Sequence, residues 1–158
     1  MPALINSKRN IAEYISGYID GEGCFSVSFS RRPKLLVGWE TKPSFSVSQN
    51  YDRAEVINLV QNFLGCGYIR RDYSDRTLKL EVRCLDDLVK KVIPHFKKYP
   101  MLSSKQKDFL LFAKICAMVA EDKHLRKNDL KKIVRMACQM NASGKRKYSQ
   151  SDILRELN

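Results

Sequence analysis

Between Lys8 and Ser30 the hydrophobic period changes from that of a helix to that of a strand, with only a short glycine-rich stretch between. Ile11, Tyr14, Ile15, Tyr18 and Ile19 fall on one helical face, predicting an amphipathic helix over 8–20. Its last carbonyls lack intrahelical partners, and glycines at 21 and 23 are expected to stop it. In "CFSVSFS" Phe25, Val27 and Phe29 then alternate with Ser26, Ser28 and Ser30, the pattern of a half-buried strand. A chain that turns from helix to strand so abruptly must stack that helix against a sheet with one apolar face.

The same alternation returns in "KPSFSVSQ", where Phe45 and Val47 are expected inward and Ser44, Ser46 and Ser48 outward. A second helix reads from "DRAEVINLVQNFLG", with Asp52 and Glu55 spaced as a capping box and Gly65 closing it. Strands "GYIRRD" and "TLKLEVRC" follow, the second alternating Leu78, Leu80, Val82 and Cys84 with Thr77, Lys79, Glu81 and Arg83. Helices are expected over 85–98, 104–120, 127–140 and 151–157. The fold class is therefore α+β: αββαββ followed by C-terminal helices, with an antiparallel sheet. No linker or low-complexity tract divides residues 1–158, so one domain is expected.

Composition decides what such a sheet can face. Lys plus Arg number 29 against 17 acids, a net charge of +12, which favours a polyanionic partner. From Lys123 to Lys147 nine basic residues face one acid, Asp129, so residues 123–158 read as a basic helical region that tracks phosphates. An antiparallel sheet can simply leave a polar face to water. Here short hydroxyls on two strands, with Arg70, Lys79 and Arg83 on the others, could instead bond base edges or phosphates, and a two-stranded ribbon enters the major groove. No apolar run reaches the roughly 18–20 residues of a membrane span. The start, "MPALINSKRN", carries no signal-length apolar stretch, so an intracellular protein is expected, in a bacterial cytoplasm or an organelle. The five cysteines (24, 66, 84, 116, 138) form no C-x-x-C pair, which reads as reduced, mostly packed thiols. His95 and His124 have no zinc-ligand spacing with them.

The stretch "YISGYIDGEG" is odd against that basic background, because it puts Asp20 and Glu22 at a helix C-terminus. The dipole there already carries partial negative charge, so carboxylates are unfavourable unless a cation binds. Magnesium suits the site chemically: it takes hard oxygen ligands and keeps several waters, so a carboxylate and a backbone carbonyl suffice. A polar D-G-E-G turn is the alternative reading of the same residues.

Residues 15–23 within that stretch resemble the motif of LAGLIDADG homing endonucleases, and the element order resembles that family's fold, with its saddle-like DNA-binding sheet, over nearly the whole chain. "FSVSQNYDR" resembles the family segment with a catalytic-site glutamine and a following basic residue, which fall on Gln49 and Arg53. "SKQKDFLL" resembles the segment bearing the active-site lysine, Lys105, and "NASGKRKYS" a loop contacting the DNA backbone through Arg146 and Lys147. The resemblance implies Glu22 and the Gly21 carbonyl as ligands of a catalytic divalent metal, and a structural role for Asp20. Mg2+ is the expected cofactor, with Mn2+ as a substitute and Ca2+ supporting binding without cleavage. The sheet contacts implied are Ser26, Ser28, Ser30, Arg32, Glu40, Lys42, Ser44, Ser46, Arg70, Asp72, Thr77, Lys79 and Arg83.

A second copy of the motif is absent, so one chain supplies one metal-binding acid, and cutting two strands needs two chains. Gly17 and Gly21 leave a bare strip four residues apart, and Ala12 and Ser16 a second small pair; with Asp20 these are the expected homodimer contacts. The implied function is site-specific double-strand cleavage of a long, nearly palindromic duplex, leaving short 3′ overhangs and promoting intron homing. No membrane partner or small-molecule substrate is expected. A DNA-binding regulator or an intron-splicing maturase on the same fold is the alternative. The trio Glu22, Gln49 and Lys105 favours the nuclease.

Overall fold

The structure is a computed structural model that describes residues 8–158, with side chains from Ile11 onward. The signal-peptide expectation at residues 1–10 lies outside those described side chains. Helix α1 (Lys8–Glu22) buries Ala12, Ile15, Ser16 and Ile19, a stripe at helical spacing. Tyr14, expected on the apolar face, is 53% exposed, because the buried stripe is narrower than the sequence face. The helix also runs two residues past Asp20. Gly17 and Gly21 lie within it, and strand β1 (Gly23–Arg31) begins at the next residue with no loop between. Only glycine fits that junction: a Cβ on Gly23 would run into the Ile19 side chain and lie 2.9 Å from the Ile19 carbonyl oxygen.

Strand β2 (Trp39–Asn50) starts three residues earlier than "KPSFSVSQ" suggests, with Trp39, Thr41 and Pro43 buried alongside Phe45 and Val47. A 3-10 turn at Tyr51–Arg53 then leads into α2 (Glu55–Leu64). The expected Asp52–Glu55 capping box does not form. Asp52 lies inside the turn, Glu55 is the first helical residue, and the cap is Ala54 without a side-chain bond. Gly65 closes the helix as expected, left-handed at φ 69°, its amide donating to the Gln61 carbonyl at 2.8 Å.

Strands β3 (Tyr68–Asp72) and β4 (Thr77–Val82) complete, among the described residues, a four-stranded sheet in the order β1-β2-β4-β3. β4 pairs antiparallel with both β2 and β3. It stops at Val82, which leaves Cys84 exposed instead of in the expected inward alternation. The helical stretch expected over 85–98 is broken: a π turn (Leu88–Val92) joins α3 (Leu85–Asp87) to α4 (Ile93–Lys98). Then come α5 (Lys105–Ala120), α6 (Lys127–Cys138) and α7 (Gln150–Leu157). A capping box does form on α7, where the Ser149 side chain bonds the Asp152 amide and the Asp152 carboxylate the Ser149 amide.

The contacts group the chain into two compact units. One holds the described residues up to Cys24 and Ser44–Gln106; its core joins Phe45, Val47, Leu80 and Val82 of the sheet to Ile57, Val60, Leu88, Val92 and Phe96. Phe45 and Phe96 meet with ring centroids 5.8 Å apart. The other holds Phe25–Pro43 and Lys107–Asn158, where Phe25 packs against Phe109 and Phe112 at 5.3 Å each. Each fully buried aromatic or leucine-sized side chain contributes roughly 1.5–3 kcal/mol. No helix among the described residues is long and apolar enough to cross a membrane. All five cysteines are free, and burial pushes the Cys116 thiol up to about 12, which makes it inert.

Candidate active site and nucleic-acid surface

The C-terminal end of α1 is where the sequence-expected catalytic groups can be followed atom by atom. Lys105, the first residue of α5, donates from Nζ to the Ile19 carbonyl at 3.1 Å and the Gly23 carbonyl at 2.5 Å. It thereby places a positive charge on the negative end of the α1 dipole. An ammonium has three N–H donors, so one remains for a ligand.

The two acids next to it have different surroundings. Asp20 accepts from the Leu102 amide at 3.2 Å, from the Ser103 amide at 3.0 Å and from the Ser103 hydroxyl. Burial works against its ionisation, but these bonds and the charge of Lys105 hold its carboxyl below the usual range. Glu22 is exposed, and its carboxylate takes no hydrogen bond from a described residue; Gly21 beside it is exposed too. No group of three or more His, Cys, Asp or Glu that could hold a metal exists among the described residues. A cation here would therefore rely on Glu22, a backbone carbonyl and water. That donor set of hard oxygens fits magnesium.

Gln49 lies near the end of β2. Its Nε2 donates to the Tyr18 hydroxyl at 2.8 Å, and its Oε1 accepts from the Asn50 amide at 2.8 Å. Tyr18, read from sequence only as part of an apolar face, is thus joined to a site residue. Burial, with the charge of Glu22 and nearby Tyr14, holds its phenol above the ordinary value against the pull of Gln49 and Arg53, so it stays protonated near neutrality. Arg53 is exposed at the end of the 3-10 turn.

The polar sheet face is organised in rows across β2, β4 and β3: Ser46–Glu81–Tyr68, Ser48–Lys79–Arg70 and Asn50–Thr77–Asp72. Sequence alternation alone treated Glu81 as a surface acid, yet it is 4% exposed. Its Oε2 accepts from the Tyr68 hydroxyl at 2.7 Å and lies 3.9 Å from Arg70 Nε, while Oε1 meets Arg83 Nε at 3.1 Å. Burial opposes its ionisation, but Tyr68, Lys79 and Arg83 hold its carboxyl below the usual range. Arg83 is held through Nε while Arg70 lies further off, and both side chains stay about half or more exposed, at 65% and 49%, open to a bidentate partner. Thr77 and Asp72 are drawn into the β3–β4 turn: Thr77 bonds Asp75, and Asp72 bonds Ser74.

In the other unit Ser26, Ser28 and Ser30 point away from the buried Phe25, Val27 and Phe29. Ser28 reaches the Lys42 carbonyl at 3.5 Å, and Glu40 binds Arg32 at 3.1 Å and Lys42 at 3.4 Å. Lys147 is exposed, its Nζ 5.4 Å from the Tyr148 ring centre. Arg146 is half-buried, and its guanidinium donates to the Val27 carbonyl at 2.7 Å and to the Ala137 carbonyl, so this chain's own backbone takes part of the donor set that the sequence reading gave to DNA. Trp39, unassigned from sequence, is buried edge-on to Tyr148 at 4.9 Å, with Arg31 against both rings.

The α1 face divides. Gly17 and Gly21 are exposed, with nothing within 4 Å of an added Cβ. Ala12 and Ser16, expected at a partner helix, are instead 1% and 4% exposed. Ser16 donates to the Tyr99 carbonyl at 2.6 Å and lies 3.2 Å from His95 Nε2, so this pair serves the interior of one chain.

The model of the LAGLIDADG endonuclease family matches residues 15–116. A probable intron-encoded endonuclease 2 of Neurospora crassa is 30% identical over 129 residues, 81% of this chain but 28% of the relative. In two further relatives the matched share is 26% and 25% of their length, so the chain spans about a quarter of these curated proteins. The crystal structure of the homing endonuclease I-TnaI superposes with a TM-score of 0.80 at 32% identity, covering 92% of this chain and 95% of that one. The structure of I-LtrWI bound to target DNA gives 0.83 at 30% identity, covering 85% of this chain and 46% of the other.

Proposed function

Because this chain belongs to the LAGLIDADG endonuclease family, we propose that it is a site-specific DNA endonuclease that acts as a homodimer with magnesium. It makes a double-strand break in a long, nearly palindromic duplex, leaves short 3′ overhangs and promotes intron homing inside the cell that carries the host gene. The observation that carries this reading is the gathering of Glu22, Gln49 and Lys105 around the end of α1 within one compact unit.

Glu22 and the Gly21 carbonyl would hold the cation, which when bound activates water and neutralises charge on the departing oxygen. Lys105 has one N–H left to stabilise charge gathering on the phosphate, and Arg53 adds a second cation from solvent. Gln49 orients the attacking water or the phosphate by hydrogen bonding. Asp20, tied to Leu102 and Ser103, fixes the start of the segment that leads into Lys105. Arg70 and Arg83 suit guanine edges, and the serine rows suit smaller polar contacts.

The dimer reading is supported by the open Gly17–Gly21 strip. Beside it lies a depression of about 390 Å³ lined by Ser16, Gly17, Asp20, Tyr99 and Leu102, with Leu102 98% exposed. The test is incubation with duplex DNA carrying the intron-free allele of the host gene. Specific double-strand cleavage is expected in magnesium, binding without cleavage in calcium, and binding without cleavage for Glu22→Gln. Normal cutting by Glu22→Gln with loss in Asp20→Asn would transfer the metal role to Asp20. Tight binding without cleavage by the wild type would make the protein a regulator or maturase.

A further inference from the structure

The two hydrogen bonds of Gln49 fix which way round its amide lies. Only the carbonyl oxygen can accept from the Asn50 main-chain N–H, so the nitrogen is the atom that faces Tyr18. One of its hydrogens goes to the Tyr18 hydroxyl and the second is unassigned. The oxygen is turned back to the strand's own backbone. Tyr18 spends a lone pair on Gln49 and keeps its own O–H to donate, on the side of α1 that ends in Glu22. Its ring is held half-buried near Tyr14, with centroids 6.3 Å apart. A residue that sequence periodicity counts as apolar filling is therefore the only side chain among the described residues that bonds the Gln49 nitrogen.

We propose that Tyr18 is a positioning residue for the hydrolysis, and that through it Gln49 offers the reacting groups an N–H donor and not a carbonyl acceptor. This rests on the nuclease reading above. A donor at this place bonds an unesterified phosphate oxygen or a lone pair of the attacking water, and so aligns the water without competing for its protons.

The experiment compares wild type, Tyr18→Phe, Gln49→Ala, Gln49→Glu and the Tyr18→Phe/Gln49→Ala double variant. Cleavage is measured as single-turnover rates on the duplex target in magnesium, and DNA affinity in calcium. Tyr18→Phe keeps the ring and removes one hydrogen bond, so the rate is expected to fall about tenfold at unchanged affinity. In the Gln49→Ala background the same change should do nothing, because its route to the reaction is gone. Gln49→Glu exchanges the donor nitrogen for an acceptor oxygen and should lose about a hundredfold. A glutamate variant as fast as wild type, or a Tyr18→Phe loss that persists undiminished without Gln49, overturns the proposal. A wild type that never cuts instead overturns the nuclease reading. The Tyr18 contact is then decided by the Gln49 side-chain NH2 resonances. A shift in Tyr18→Phe supports the contact, and an unchanged pair removes it.

Discussion

Replacing Gly17 by alanine separates what one chain needs from what two chains need. Gly17 is in the interior of α1, and a Cβ built on it meets nothing within 4 Å. Within one chain the substitution exchanges the poorer helix former for the better, a gain of about 1 kcal/mol. For a protein of this size that raises the melting temperature by roughly 2–4 °C. Between chains the sign reverses. If two copies of α1 cross at the Gly17–Gly21 strip, the added methyl groups push the backbones apart and dimerisation should weaken at least about tenfold, or about 1.4 kcal/mol. The assay pairs sedimentation equilibrium over a concentration series with thermal melts below the dimer dissociation constant, since dimer formation itself adds apparent stability. An alanine variant with a tighter-melting monomer and an unchanged dimer constant would show that the strip does not face the partner. A less stable monomer would show that the strip is not open at all.

His95 predicts the acid limit of stability. Burial lowers its pKa from 6.5 to about 4, so the unfolded chain takes up the proton first and stability falls as pH drops from 6.5 through 4. The loss amounts to about 2 kcal/mol by pH 5, read by urea melts, and an NMR titration of His95 with an ordinary midpoint would refute it. Arg146→Ala should cost about 2 kcal/mol of folding stability by removing its charged hydrogen bonds to the Val27 and Ala137 carbonyls, whereas Lys147→Ala should leave the melting point alone and flatten the salt dependence of DNA binding. Arg83→Ala is expected to relax preference at one base position by about 1–3 kcal/mol in a binding-site selection. Glu81→Gln should blur the same position, because the guanidinium loses its charged anchor.

The sequence-readable parts of this protein are those governed by short-range periodicity. Phe25, Val27, Phe29, Phe45 and Val47 are buried as their alternation requires, and Gly65 closes α2 with the left-handed backbone expected of it. The errors arise where a local signal competes with a distant partner. Asp52 and Glu55 have the spacing of a capping box, but the chain takes a 3-10 turn there, while the box that forms belongs to Ser149 and Asp152. Ser16 and Ala12 look like a contact strip because they are small, yet both are buried within the chain, and Ser16 bonds Tyr99 and lies against His95, about 80 residues away in sequence. Arg146 is basic within a basic tract, and nothing local says that its bonds go to Val27 and Ala137. Glu81 and Tyr18 were hidden in the same way, each by an alternation that states a direction but not a partner.

The direct passage from α1 into β1 also fixes which face of the strand each of its side chains takes. The acid at 22 and the outward serines at 26, 28 and 30 are counted off along one uninterrupted run of backbone, and the Gly23 junction tolerates no side chain. A single inserted residue would turn the serines inward and Phe25, Val27 and Phe29 to solvent. On the nuclease reading proposed above, new contacts along β1 are expected to come from side chains exchanged in place.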